Sequence, residues 1–287
     1  VPFAPGAGSD IVARITAEKM SEGLSQPVVV ENKSGAGGML ANRYVAGAVP
    51  DGYTLLLMTG AYPAQAAMLK ELSFDPMKDV SMISLLMEYP FVLIARPDAP
   101  YKSVKELIAY AKGGAVRLNY ASSGAGSVHH LTSELFNAMT GIDAVPITYR
   151  GGSVQILELL AGRVDFVFET LPSAASALSD GRVRALAVTS GQRWPALPEV
   201  PTVSEALPGF DVISFLGIAT TGRTPTFIID RLGTEMRRVL ALADVRERFR
   251  QLGGEVASIG ATEMETVVED QIRKWQYVIA ARGIERQ

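Results

Sequence analysis

Short apolar segments alternate with helical segments along most of this chain, and the alternation restricts the folds that it can adopt. Strand-like runs such as Phe91 to Ala95 and Val164 to Phe168 are followed by segments with helical character. This order predicts an α/β fold with mainly parallel sheets. With 287 residues, of which 48% are hydrophobic, the chain can bury one large core or two of moderate size.

Two interruptions of the pattern predict the domain organisation. The segment 96–100 (RPDAP) resists both helix and central strand, and we place a crossover between domains there. The apolar segment Val212 to Ala219 is expected to cross back. We therefore predict two α/β lobes joined by two crossovers, with lobe 1 at 1–97 and 215–287 and lobe 2 at 98–214. A ligand cleft between such lobes can close by hinge motion.

Charge and cysteine content exclude several classes of function. The 27 Lys and Arg nearly balance the 30 Asp and Glu, without the basic stripe of a nucleic-acid-binding protein. The absence of cysteine excludes disulfides, thiolate nucleophiles and thiolate zinc sites. We expect no cofactor and no metal. The first six residues read as the end of a strand entering a loop, so we expect the rest of that strand, and any targeting segment, upstream.

Several loops that follow strands are candidates for ligand binding. The loop from Pro2 to Asp10 precedes a helix expected at about Ile11, and its glycines let backbone N–H groups face an anion. Asp10 either caps that helix or contacts the ligand, and a carboxylate is a poor neighbour for an anion. The loop Ser122 to Ser127 (SSGAGS) offers three hydroxyls without charge, and either binds a carboxylate or simply forms a turn with a serine cap.

A third loop, from Tyr149 to Ser153, contains Arg150, the only cation in these three loops. Arg150 either pairs with a ligand carboxylate or faces solvent. Two further strand-end segments, 59–61 (TGA) and 169–172 (ETLP), are placed to line a cleft. A carboxylate at Glu169 would recognise an amino group and disfavour a second ligand carboxylate.

Enzymatic motifs are missing from the sequence. The glycine-rich stretches do not complete the dinucleotide fingerprint, and neither a phosphate loop nor a nucleophile elbow is present. His129 and His130 are adjacent on a predicted helix, about 100° apart, so they do not suit one metal. A serine hydrolase that uses Ser123 or Ser127 with His130 stays as an alternative. It requires a Ser–His distance of about 3.2 Å and an orienting acid.

A series of motifs in order resembles one family of receptors, the tripartite tricarboxylate transporter receptors, also called Bug-type receptors. The resemblance covers almost the whole chain. Its motifs are VPFAPG at 1–6 with Asp10, Ala13 and Arg14; QPVVVEN at 26–32; GAGG at 35–38; PDGYTL at 50–55; LNYASSG at 118–124; HL at 130–131; ELF at 134–136; YRG at 149–151; LPS at 171–173; ALAVT at 185–189; and LPEVPT at 197–202.

The resemblance implies a type II periplasmic binding protein that captures a small carboxylate and delivers it to integral membrane transporter subunits. Such ligands include amino acids, dicarboxylates, tricarboxylates and aromatic acids. The resemblance also implies a periplasmic monomer, although a sensory receptor for a signalling partner stays as an alternative. Carried over by position, the implied ligand contacts are Phe3, Ala7, Ser9, Ser123, Gly126, Ser127, Gly152 and Ser153, with Thr59, Ala61 and Glu169 as variable distal contacts.

Overall fold

The computed structural model describes residues 1–114, 117–149 and 152–286 of the chain. Contacts between residues divide them into two units. Unit 1 consists of Val1–Glu88, Phe215–Gln276 and Arg286, and unit 2 consists of the described residues of Tyr89–Ser214 and Tyr277–Glu285. Each unit combines helices with strands. No helix in the described part of the chain carries an apolar stretch long enough to span a bilayer.

Unit 1 is built from two separate stretches of the chain. Its elements are α1 (Gly8–Leu24), α2 (Met39–Ala46), β1 (Leu55–Thr59), α3 (Ala61–Met68), the first part of β2 (Val80–Ala95), most of β7 (Ile213–Thr221), α8 (Thr226–Ala241), α9 (Ala243–Gln251), β8 (Glu255–Ile259) and most of α10 (Ala261–Ala281). Buried side chains from β1, β2, β7 and α10, among them Leu56, Leu85, Phe215 and Val268, form its core.

Unit 2 contains the shorter elements of the middle of the chain. They are the second part of β2, α4 (Val104–Lys112), β3 (Asn119–Ser122), α5 (Val128–Thr140), β4 (Val145–Thr148), α6 (Gly152–Leu160), β5 (Val167–Thr170), α7 (Leu171–Ser179) and β6 (Arg184–Val188). Helix α4 begins directly after Ser103, as the S-x-x-E spacing of residues 103–106 predicts, and the Ser103 hydroxyl accepts the Glu106 N–H. Val92, Ile94, Val167 and Leu159 belong to the core of this unit.

Strand β2 explains why the chain changes units earlier than the sequence suggests. Its residues Leu85 to Glu88 pair with β8 in unit 1, and Phe91 to Ala95 pair with β5 and β6 in unit 2. Pro90, which has no N–H to donate, falls between the two ladders. The predicted boundary at residue 97 is therefore corrected to Glu88, because the chain changes units within a strand and not at the prolines that follow it.

The end of the chain departs from the predicted domain assignment as well. Tyr277–Glu285 belongs to unit 2, although the sequence places all of 215–287 in lobe 1. The Arg282 guanidinium explains the difference, since its Nε lies 2.7 Å from a carboxylate oxygen of Glu134 on α5. Glu134 is buried, so this ion pair fixes the segment to unit 2.

Strand direction and one strand also differ from the prediction. The ladders of β2 with β5, β6 and β8, and that of β1 with β7, are antiparallel, whereas β3 and β4 are parallel. The expectation of mainly parallel sheets is therefore wrong for these ladders, because β2 runs against β5, β6 and β8, and β7 runs against β1. The β-branched run Val28 to Val30 favours a strand by composition but forms none, since extended backbone is a strand only where a second strand pairs with it.

Candidate functional site

The first loop of unit 1 is organised around the carboxylate of Asp10. One oxygen accepts the Gly6 N–H at 2.8 Å and the Arg14 Nε–H at 2.9 Å, and the other accepts the Asn32 Nδ2–H at 2.9 Å. The same amide nitrogen of Asn32 donates to the carbonyl oxygen of Phe3 at 2.9 Å. The hydrogen bond from Arg14, helped by those from Gly6 and Asn32, lowers the pKa of Asp10 to about 2 against the effect of its burial.

These bonds give Asp10 a role that differs from both roles considered for it, helix cap and ligand contact. The side chain is only 2% exposed, and both of its oxygens already accept hydrogen bonds from the protein. Asp10 thus holds the loop in place, and we do not retain it among the proposed ligand contacts. It also lies inside α1, because the helix begins at Gly8, three residues before the expected Ile11.

The start of α1 leaves hydrogen-bond donors for a ligand. Ala7 is the N-cap residue in an extended conformation, and its side chain cannot accept from the first turn. Ser9 lies in that turn and is half-buried. Phe3, which lies three residues before Gly6 of the same loop, is half-buried as well. The sequence predicted Phe3, Ala7 and Ser9 as ligand contacts, and the structure gathers these residues around the start of this one helix.

Thr59 and Ala61 have a local structural role in unit 1. Thr59 is 7% exposed at the end of β1, and its Oγ1 accepts the N–H of Ala61 at 3.2 Å. Ala61 is the first residue of α3, so this bond stabilises the start of that helix. The hydroxyl of Thr59 still has its own proton to donate.

The second loop, in unit 2, joins β3 to α5 and is tied to the helix that follows it. The Ser127 hydroxyl accepts the N–H of His130 at 3.2 Å, as an N-cap. The N–H of Gly126 donates to Nδ1 of His130 at 3.1 Å. Gly126 has φ of +72°, a conformation that favours glycine. The Gly126 N–H is therefore engaged within the protein, and we do not retain Gly126 as a ligand contact.

His130 does not form the pair that a serine hydrolase requires. Its ring stacks on Tyr120, with centroids 6.4 Å apart, and Nδ1 faces the Gly126 N–H and not a serine hydroxyl. Burial lowers the pKa of His130 below the usual 6.5, so the ring is neutral at pH 7. Its role is to hold the second loop.

A different serine and histidine come together in unit 2. Oγ of Ser123 lies 3.1 Å from Nδ1 of His129, and Nε2 of His129 lies 3.4 Å from Oε1 of Glu169. Ser123 is exposed, the His129 side chain is 17% exposed and that of Glu169 is 1% exposed. Phe91 packs against the His129 ring, edge to face, at 5.3 Å between centroids. These contacts define the Ser123–His129–Glu169 relay.

Glu169 is the deepest member of this relay. Its Oε1 accepts the N–H of Thr170 at 2.8 Å and the Thr170 hydroxyl at 3.2 Å. Its Oε2 is buried and has no hydrogen-bond partner among the described residues. A buried carboxylate oxygen without a donor is costly, so this atom is a candidate to meet a donor that the structure does not contain.

The third predicted loop is described only in part. Arg150 lies outside the described residues. Gly152 and Ser153 form the first turn of α6, and their side chains also lie outside the description. The expectation that this loop contacts a ligand therefore stays a prediction. Within the described residues, no group of three or more His, Asp or Glu side chains could hold a metal ion.

Two residues that hydrogen-bond to these loops were not among the predicted site residues. Asn32 ties Phe3 to Asp10, and His129 joins Ser123 to Glu169. Asn32 ends the motif QPVVVEN, so its place in a recurring motif is a signal that could have identified it. For His129 the sequence contains no comparable signal, because its partners lie 6 and 40 residues away along the chain.

The sequence and the structure of this chain are both similar to those of known solute receptors. Residues 12–284 match the profile of the tripartite tricarboxylate transporter family receptor. The structure resembles R. palustris Rpa4515 with adipate (33% identity, 99% of this chain and 96% of that one, TM-score 0.89). It also resembles the periplasmic binding protein BugD (34%, 100% and 97%, TM-score 0.86) and MatC from Rhodopseudomonas palustris with bound malate (34%, 97% and 97%, TM-score 0.85). The predicted fold class, that of the periplasmic binding proteins, is thereby confirmed.

Proposed function

Because the chain belongs to the tripartite tricarboxylate transporter family of receptors, we propose that it captures a small carboxylate outside the cytoplasm and delivers it to a membrane transporter. The observation that carries this proposal is a pair of loops at the starts of α1 and α5, rich in neutral donors. Such donors at a helix N-terminus suit a carboxylate. Adipate and malate in similar structures support the same ligand class.

The ligand contacts that we propose combine both loops. On unit 1 they are the first-turn N–H groups of α1, the Ser9 hydroxyl and the ring of Phe3, which would shield the carboxylate from water. On unit 2 they are the hydroxyls of Ser123 and Ser127, with Ser153 and Arg150 retained from the sequence. Asp10 and Gly126 act indirectly, because their polar groups hold the loops in shape. We further propose that the receptor closes around its ligand by hinge motion.

The relay also raises a second candidate, a serine hydrolase. Ser123, His129 and Glu169 meet the distance expected of a nucleophile and its base, with an acid behind them. A hydrolase needs at least two free donors for the oxyanion of its intermediate. In the second loop the N–H groups of Gly124, Gly126 and Ser127 already donate to Ser122, His130 and Gly124. Because the matching family is one of solute receptors, we propose binding without catalysis.

A thermal-shift screen with carboxylates, confirmed by calorimetry, tests the proposed function. The panel contains succinate, malate, adipate, citrate, aspartate, glutamate and benzoate. A ligand at 100 times its dissociation constant should stabilise the folded protein by about 2.7 kcal/mol. Ser123→Ala should weaken the binding of the best ligand about tenfold, which corresponds to about 1.4 kcal/mol for a lost hydrogen bond to a charged group.

The control variant for this screen is Ser34→Ala, which changes an exposed serine outside both loops and should bind like the parent protein. If no member of the panel shifts the transition, mass spectrometry of the denatured protein shows whether a small molecule was already bound. A protein that is empty and binds none of these acids is not the receptor that we propose.

A further inference from the structure

The hydrogen atoms of the Ser123–His129–Glu169 relay can be assigned from its chemistry. When Glu169 is ionised, its carboxylate can only accept hydrogen bonds, and Nε2 of His129, which faces Oε1 of Glu169, then carries a proton. A neutral imidazole carries one proton, which leaves Nδ1 as an acceptor. The Ser123 hydroxyl must then donate its only proton to Nδ1, across the 3.1 Å contact.

This assignment makes the free relay a poor partner for a carboxylate. The exposed side of the Ser123 oxygen then presents lone pairs, and a ligand carboxylate also presents lone pairs. If His129 gains a proton, Nδ1–H donates to the Ser123 oxygen and the hydroxyl proton is released for the ligand. The imidazolium would also lie between two carboxylates, those of Glu169 and of the ligand, and each of them favours its charge.

We propose that the Ser123–His129–Glu169 relay couples carboxylate capture to the uptake of one proton by His129. This inference rests on the proposed function and adds a mode of regulation to the same site. His129 acts as a positioning residue, because it decides whether the Ser123 hydroxyl points its proton inward or towards the ligand. Glu169 retains the imidazolium, and the proton comes from the solvent.

The groups around His129 are compatible with its protonation. On β5 it faces Glu169, which is itself close enough to Tyr89 of β2 for an electrostatic interaction. On its own helix, His130 is buried and neutral, and Glu134 is bound to Tyr120 and Arg282. The start of α5 disfavours a cation, whereas the buried carboxylate of Glu169 in contact with the ring favours it.

Calorimetry in two buffers tests the coupling directly. The ligand is the tightest-binding acid of the panel of succinate, malate, adipate, citrate, aspartate, glutamate and benzoate. The titrations are run at about pH 7.5 in phosphate and in Tris, two buffers that release protons with different enthalpies. The difference between the two binding heats, divided by the difference between these enthalpies, gives the number of protons taken up per ligand. We expect up to about one proton per ligand, and an affinity that falls by up to about tenfold per pH unit on the alkaline side.

The chain has two histidines, and one variant of each shows which of them takes up the proton. His129→Gln should bind the ligand with no proton uptake and no pH dependence between about pH 6 and about pH 8.5. His130→Asn keeps an acceptor near the Gly126 N–H and should retain the proton uptake. Circular dichroism checks that both variants are folded. Should His129→Gln be unfolded, Glu169→Gln takes its place, because loss of the carboxylate also removes the charge that retains the proton.

The outcomes distinguish this inference from the proposed function. Equal heats in both buffers with normal binding would overturn the coupling and leave the receptor function intact. Proton uptake that survives in His129→Gln, or that vanishes only in His130→Asn, would assign the proton elsewhere and overturn the inference as well. If the wild-type protein binds no acid of the panel, the proposed function and the coupling are rejected together.

Discussion

At the scale of single residues, Asp10 shows how one buried carboxylate organises a loop through hydrogen bonds within the protein. It accepts hydrogen bonds from Gly6, Arg14 and Asn32. We expect Asp10→Ala to lower the free energy of unfolding by about 2–3 kcal/mol, because charged hydrogen bonds are lost and their donors are left without an acceptor. Urea denaturation at pH 7 measures this loss, and the weaker loop should also weaken carboxylate binding.

The pH dependence of stability follows from the lowered pKa of Asp10. A carboxyl group whose folded pKa is about 2 contributes stability above its unfolded value, near 4, and loses it as the pH falls towards 2. Asp10→Asn should therefore lack this part of the acid-induced loss. The control is Asp98→Asn, which changes a carboxylate that is 79% exposed. An identical acid profile for wild type and Asp10→Asn would contradict the assigned role.

At the scale of elements, the two serine caps of unit 2 allow capping to be separated from binding. Ser127 caps α5 and Ser103 caps α4, each by accepting an N–H at 3.2 Å. Ser127→Ala and Ser103→Ala should each lower the free energy of unfolding by about 1 kcal/mol. Only Ser127→Ala should weaken binding of the carboxylate, as measured by calorimetry. Equal affinities for the two variants would remove Ser127 from the proposed contacts.

At the scale of the whole molecule, the proposed function predicts a change of shape. A receptor that captures its ligand by closure should become more compact when the ligand binds. Small-angle scattering of the protein, free and saturated with its best carboxylate, should therefore show a smaller radius of gyration in the bound state. The Ser123→Ala variant, measured at the same ligand concentration, is the control for partial saturation. An unchanged radius at full saturation would argue against capture by closure.

The sequence by itself determined the local features of this protein. Strand and helix signals are local, so the S-x-x-E spacing of residues 103–106 correctly predicts the cap of α4, and the ordered motifs sufficed to identify the family. The strand-end loops were also recognised as candidate binding loops, because glycines and serines before a helix leave backbone N–H groups and hydroxyls for an anion.

Only the tertiary structure decided how distant residues meet. It moved the boundary between units into β2, because pairing partners and not local composition determine where a strand changes neighbours. It showed that the polar groups of Asp10 and Gly126 form hydrogen bonds within the protein. It also brought His129 into contact with Glu169, 40 residues further along the chain. Long-range contacts of this kind depend on the packing of whole elements, which no local sequence pattern encodes.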